Sequence, residues 1–236
     1  MTDKTCTQQP AKGDQPAPTR RSFLTRAVGL SALAVPTLTL MASRKARAQT
    51  SGSNTLTGLN AVLINEILND EAQHVPIIQN LLNDPGNPLP VPIRQPPNFD
   101  MTRMTQPNLQ TFLETASVFE NTGSGLYHGA LLNIQQTQEY FPTAAGLAAV
   151  ESRHAAWLNS LLGQSLVPDF APVEAEITQG IVLARVAEFV TDDRSTFPSF
   201  DTTKVSDENN FSILDFVLFL EYIESTFYAL NVPLFT

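Results

Sequence analysis

The sequence predicts an all-α fold: a bundle of four long helices with one extra short helix and long Pro-rich crossovers. Three observations lead there. Apolar residues recur at three- and four-residue spacing through four long stretches. No stretch shows convincing period-two alternation, so strands are not expected. Two of the chain's three histidines sit in Glu-x-x-His tetrads, Glu71-Ala-Gln-His74 and Glu151-Ser-Arg-His154. Positions i and i+3 share a helix face, so each tetrad aims one carboxylate and one imidazole at a single point.

Residues 1–48 read as an address, not as part of the fold. Thr19-Arg20-Arg21-Ser22-Phe23-Leu24 precedes an apolar stretch, Ala27 to Leu40, and Ala46-Arg47-Ala48 has the small-x-small form of a signal-peptidase site. The paired arginines before Phe-Leu point to the twin-arginine export route, and the charges Arg44, Lys45 and Arg47 beside the cleavage site fit it. About 14 apolar residues broken by Pro36 are too few for the roughly 20 a transmembrane helix needs, so no stable membrane anchor is expected. The expected location is periplasmic or secreted. Cys6 leaves with the signal, so any metal bound by the mature chain uses nitrogen and oxygen ligands.

Residues 49–236 form one expected domain. Of the 14 basic and 23 acidic residues of the whole chain, six and 21 remain after residues 1–48 are removed, a net of −15. So acidic a surface argues against nucleic acid and anionic membrane as partners and suits attraction of cations.

The first helix is expected from about Thr55 to Asn83, with Leu59, Leu63, Ile67, Ile78, Leu81 and Leu82 inward and a kink at Pro76. Seven prolines between Asp84 and Pro107 make that stretch an extended connector. A second helix runs from about Leu109 to Gln138, with Phe112, Leu113, Val118, Phe119, Leu126, Leu131 and Ile134 inward. Gly123, Gly125 and Gly129 are costly inside it and signal a close helix approach or a local bulge. A third helix covers Thr143 to Leu162 and stops at Gly163; a shorter one covers Val173 to Val190. Residues 191–210 read as loop. The last helix, about Phe211 to Leu230, ends at Asn231 and Pro233 and is apolar enough to be a buried core helix.

The second and last helices carry one glutamate each within an apolar run, Glu120 and Glu221, followed seven residues later by Tyr127 and Tyr228. Seven residues is two turns, so each tyrosine lies on its glutamate's face. A buried carboxylate is paired, protonated or bound to metal, and with only Arg153 and Arg185 near these helices the chain is too poor in cations to pair them all. Two tetrads facing each other across a bundle, completed by a carboxylate from each of two further helices, are the ligand set of a di-iron or di-manganese carboxylate site. The candidate metal ligands are therefore Glu71, His74, Glu120, Glu151, His154 and Glu221. Tyr127 and Tyr228 are the candidate catalytic residues, hydrogen-bonding a ligand carboxylate or supplying an electron. His128 reads as an ordinary histidine, Glu224 as a residue on the rim of the site, and Glu66, Asp70 and Glu114 as solvated or flanking charges.

Three stretches, Phe119-Glu-Asn-Thr-Gly-Ser-Gly-Leu-Tyr-His-Gly-Ala130, Val150-Glu-Ser-Arg-His-Ala-Ala-Trp157 and Ile213-Leu-Asp-Phe-Val-Leu-Phe-Leu-Glu-Tyr-Ile-Glu-Ser-Thr-Phe-Tyr228, resemble the bacterial ferritin-like domain family related to desiccation-associated proteins. The resemblance covers most of residues 55–230. It implies a ferritin-like four-helix bundle in which the first helix brings a Glu, the second an ExxH, the third a Glu and the fourth an ExxH. Glu221, Glu71 with His74, Glu120, and Glu151 with His154 would fill those places. The order here starts with an ExxH and ends with the Glu helix, which implies a circular permutation by one helix. Two connectors would then run the bundle's length; 84–107 and 164–210 are long enough at about 3.3 Å per residue for a helix of about 30–37 Å. A terminal helix is the easiest to exchange between subunits, so assembly into a homo-oligomer stays open. The implied cofactors are two iron ions, or manganese, meeting O2 or peroxide in a ferroxidase-like or peroxide-consuming site. The alternatives are a non-catalytic metal-binding protein and a metal-free stress- or desiccation-protection protein.

Overall fold

The computed structural model describes residues 54–83, 93–134 and 140–236; the expected export signal and its expected cleavage site lie outside them. Four long helices carry the fold: α1 (Leu59–Leu82), α3 (Leu109–Ala130), α4 (Tyr140–Leu161) and α6 (Asp207–Phe235). Two short ones, α2 (Met101–Met104) and α5 (Gln179–Val186), lie in the connectors. Among the described residues there is no strand, only an isolated antiparallel bridge between Phe99 and Val190.

Local chemistry sets the helix ends. The Asn108 side chain accepts from Thr111 N at 3.0 Å and caps α3. Asp100 caps α2 in the same way. After α4, Gln164 N donates to Asn159 O and Gly163 N to Ser160 O, with Gly163 at φ 72°, the left-handed exit a glycine adopts without strain.

Helices α1 and α6 pack along each other, as do α3 and α4. Leu56 N, just before α1, donates to Phe235 O at the end of α6, so that pair is antiparallel. Leu109 N, opening α3, donates to Asn54 Oδ1, which sets α3 parallel to α1. The end of α1 and the start of α3 therefore lie at opposite ends of the bundle. Fully buried Asn231 ties the stretch just before α3 to α6, accepting from Gln106 N and donating to Met104 O.

Several expectations are corrected. Leu59 and Val118 are 70% and 45% exposed: Leu59 is the first residue of α1, and spacing alone does not say which face meets the core. The expected connector contains α2, because Asp100 supplies two cap bonds. The short helix expected over Val173–Val190 is only Gln179–Val186. Pro76 lies inside α1, as expected for one helix from about Thr55 to Asn83. α3 ends at Ala130, followed by turn at 131–134; residues 135–139, the rest of the expected helix, are outside the described set. α6 starts earlier and ends later than expected. The Ser206 side chain accepts from Asn209 N and opens the helix at Asp207. Pro233 lacks only one donor in the last turn, and the bonds of Asn231 hold that turn in place.

The core is layered along the bundle axis. Phe112, Phe119, Phe227, Tyr228 and Phe235 pack at one end, with contacting ring centroids 5.0–6.1 Å apart. Ile78, Leu126, Ile213 and Val217 fill the other end. Each such side chain contributes about 1.5–3 kcal/mol on burial. These layers offset the cost of the polar layer between them.

Candidate metal centre

The polar layer sits at mid-bundle. Glu71, Glu120, Glu151, Glu221 and Glu224 are completely buried, and His74 and His154 nearly so. Each long helix supplies part of it: α1 Glu71 and His74, α3 Glu120, α4 Glu151 and His154, α6 Glu221 and Glu224. The structure brings all six residues expected as ligands together. They form two overlapping groups of donor atoms: Glu71, His74, Glu151 and Glu221 in one, and Glu71, Glu120, Glu151 and His154 in the other, with the atoms of each group within 4.8 Å of one another. Glu71 and Glu151 belong to both, the position of bridging carboxylates.

Both imidazoles point Nδ1 inward. His74 Nδ1 lies 3.4, 3.1 and 3.3 Å from oxygens of Glu71, Glu151 and Glu221. His154 Nδ1 lies 3.2 and 3.3 Å from Glu71 and Glu120. Close as they are, these atoms form no aligned hydrogen bonds: both oxygens of Glu71 and of Glu151, one each of Glu120 and Glu221, and both Nδ1 atoms have no hydrogen-bond partner. Leaving so many buried polar atoms unmatched is costly. Donors that converge without bonding to one another fit cations placed between them, and an all-oxygen-and-nitrogen set suits iron or manganese.

The two tyrosines cross over. Tyr127, on the helix of Glu120, donates its hydroxyl to Glu221. Tyr228, on the helix of Glu221, donates to Glu120 Oε1 at 2.5 Å. Each thus ties one outer carboxylate to the opposite helix pair instead of to its own glutamate. Burial, then the Glu221 charge for Tyr127 and the Glu120 charge for Tyr228, pushes both phenols well above their ordinary value, so they remain donors.

Burial also raises the Glu71 carboxyl, reinforced by Glu120 and opposed by His154 and His74. It lifts Glu151 and Glu224 well above the usual range, Glu71 adding most to the first and Glu151 to the second. Burial pulls the His154 imidazole down, but Glu120 and Glu71 outweigh it and hold it up at about 11. His74 is raised in the same way, with Glu221, Glu151 and Glu71 prevailing over burial. A cation held among these groups would compete with their protons.

Two residues count for more than the sequence suggested. Asp70, expected to be a flanking charge, has an oxygen 3.1 Å from His154 Nε2 and so orients the ring whose Nδ1 faces the cluster. Only the distance between α1 and α4 in space reveals that contact. Glu224, expected at the rim, is fully buried with both oxygens unpartnered; its place three residues after Glu221 was the available signal. Gly123 supplies room for it. A Cβ there would lie 2.5 Å from Glu151 Oε2 and 3.4 Å from Glu224 Oε1, so the expected close approach at the α3 glycines is real and borders the site. Gly125 is as tight, against Ile177 at 2.5 Å. His128 stands apart, half-buried, with Nδ1 on Ser124 O.

No curated protein and no solved structure matches the chain. The family model of the ferritin-like domain matches residues 40–164, 125 of the 236. The match takes in both Glu-x-x-His tetrads and Glu120 and ends before the helix of Glu221. With more than half of its length matched, this chain belongs to the ferritin-like domain family.

Proposed function

We propose that this is an exported ferritin-like protein that binds two iron or manganese ions between Glu71, His74, Glu120, Glu151, His154 and Glu221. The observation that carries the reading is the convergence of eight buried donor atoms of these residues, none with a hydrogen-bond partner, from four helices. Glu71 and Glu151, which belong to both donor groups, would hold both ions, with Glu221 and His74 serving one group and Glu120 and His154 the other. Tyr127 and Tyr228 hold the outer carboxylates in place and keep their protons.

A bound metal pair supplies the electron exchange with O2 or peroxide that the side chains alone do not, which makes a ferroxidase-like or peroxide-consuming activity the proposed chemistry. The chain's own part is to exclude bulk water, fix the ligand geometry and keep the phenol protons on the tyrosine oxygens. The paired arginines Arg20 and Arg21 support export of the folded, metal-loaded protein. The helix order supports a permuted bundle, because the antiparallel pairs α1–α6 and α3–α4 keep the ligands together wherever the chain begins.

Metal analysis of protein purified after iron or manganese supplementation tests the site: two ions per chain are expected. Fewer than about one per two chains would leave a metal-free protective role as the better reading. O2 consumption with Fe(II) tests the chemistry. Equal rates in the wild type and Glu120→Ala would remove catalysis and leave metal binding alone.

A further inference from the structure

One helical turn from the candidate metal centre the bundle axis holds a small apolar cavity. Its walls come from all four long helices: Ile78, Tyr127, Ala144, Leu147, Leu214 and Val217 among them. Ile78 lies one turn beyond His74, Leu147 one turn before Glu151, and Val217 one turn before Glu221. Room for the centre of a water-sized molecule is about 10 Å3, enough for one small guest. The lining is apolar throughout: Tyr127 contributes to the wall without its hydroxyl, which is engaged by Glu221. A water there would lack the two to four polar partners that hold buried waters, so the cavity is dry.

We propose that this cavity binds an apolar diatomic molecule, with dioxygen the reactive member of that class, and holds it one turn from the metal pair. The inference rests on the di-metal reading of the neighbouring site and narrows it, since peroxide would have to shed its hydrogen bonds to water on entering. Leu147 is the door. Its buried side chain also lines a surface depression between α1 and α4, together with Asp70, Gln73, His74, Thr143 and Gly146. A rotamer change at Leu147 therefore joins solvent to the cavity. Tyr127 both lines the cavity and hydrogen-bonds Glu221, a carboxylate of the candidate metal site.

Xenon reports dry cavities of this size without any metal. Crystals of the full protein purified metal-free and pressurised with xenon are expected to show the gas among Tyr127, Ala144, Leu147 and Val217. An empty cavity, or ordered water in it, overturns the proposal. In Fe(II)-loaded protein, filling the cavity with Ala144→Leu is expected to slow the reaction with O2 several-fold while metal content and the rate with hydrogen peroxide stay at the wild-type level. An unchanged O2 rate, or an equal slowing with peroxide, overturns it. Should Ala144→Leu not fold, Val217→Leu adds a single methylene and carries the same expectation. Xenon binding in a protein that takes up no metal would sink the di-metal reading and leave the cavity. Metal uptake with an O2 rate indifferent to filling would do the reverse.

Discussion

Replacing Gly123 by alanine separates the needs of the metal centre from those of the fold. The added Cβ would stand 2.5 Å from Glu151 Oε2 and 3.3 Å from its Cδ. Ordinary van der Waals contact begins near 3.4 Å, so the Glu151 carboxylate must retreat by about 0.9 Å, the difference of the two distances. Metal–ligand distances tolerate about 0.2 Å, and Glu151 belongs to both donor groups. The displacement therefore disturbs two ions at once. Metal affinity is expected to fall by at least the 10–100-fold typical of a lost supporting contact, about 1.4–2.7 kcal/mol.

Stability without metal follows a different course. Alanine favours a helix interior over glycine by about 1 kcal/mol, and moving a carboxylate at the end of its side chain costs a comparable amount. The metal-free Gly123→Ala protein is expected to melt within a few degrees of wild type, at about 1 kcal/mol or less. Anaerobic Mn(II) or Fe(II) titration, with thermal melts with and without metal, checks both halves. Wild-type metal affinity in a folded Gly123→Ala would refute the placement of Glu151 as a bridging ligand.

Tyr228→Phe removes the donor to Glu120 Oε1. Leaving that buried acceptor unmatched should lower metal-free stability by about 1–3 kcal/mol in urea unfolding, while metal content stays at two per chain because the phenol is not a ligand. Loss of both metals would instead make the tyrosine part of the coordination. The pH dependence of the metal-free protein has a definite sign. Glu71, Glu151 and Glu224 are raised on folding, so the stability they contribute is complete below about pH 4.5 and is lost above it. His154 adds a contribution that is complete below about pH 6.5 and is lost towards 11. Metal-free melting temperature should thus fall from pH 5 to pH 8, while the gain on adding Mn(II) grows as fewer protons oppose it. A metal-free protein that becomes more stable over that range contradicts the buried cluster.

The convergence of the candidate ligands was legible because helical spacing does most of the placing. Glu71 and His74 share a face in any straight helix, as do Glu151 and His154, and the apolar runs around Glu120 and Glu221 marked them as inward. What spacing leaves out is which helix lies opposite. The tyrosines lie on the face of their own glutamates, yet each bonds the glutamate of the other pair. Asp70 reads as solvated until α4 brings His154 to it. Leu59 and Val118 fit the apolar period but fall on its solvent side. The ends of α6 depend on bonds made by single polar side chains, Ser206 inside its own cap and Asn231 to a connector remote in sequence.

The two halves of the centre nearly repeat each other. Glu71, His74, Glu221 and Tyr127 correspond to Glu151, His154, Glu120 and Tyr228, and the antiparallel pair α1–α6 to the pair α4–α3. The correspondence fails at two places. Asp70 precedes Glu71 and meets His154, whereas its counterpart before Glu151 is Val150, which offers His74 no acceptor. Glu224 follows Glu221 by three residues, whereas its counterpart after Glu120 is Gly123. The ring of His154 is thus held by a carboxylate on its outer nitrogen, and such support is worth about 10–100-fold in metal affinity. The position served by His154 is expected to fill first, so anaerobic titration with Mn(II) should show two unequal steps. Asp70 is partly exposed, with a side chain 39% accessible, so Asp70→Ala should leave the fold intact and weaken that step alone. Two equal steps in the wild type, or an Asp70→Ala titration that superimposes on it, would mean that the Asp70–His154 contact does nothing for the metal.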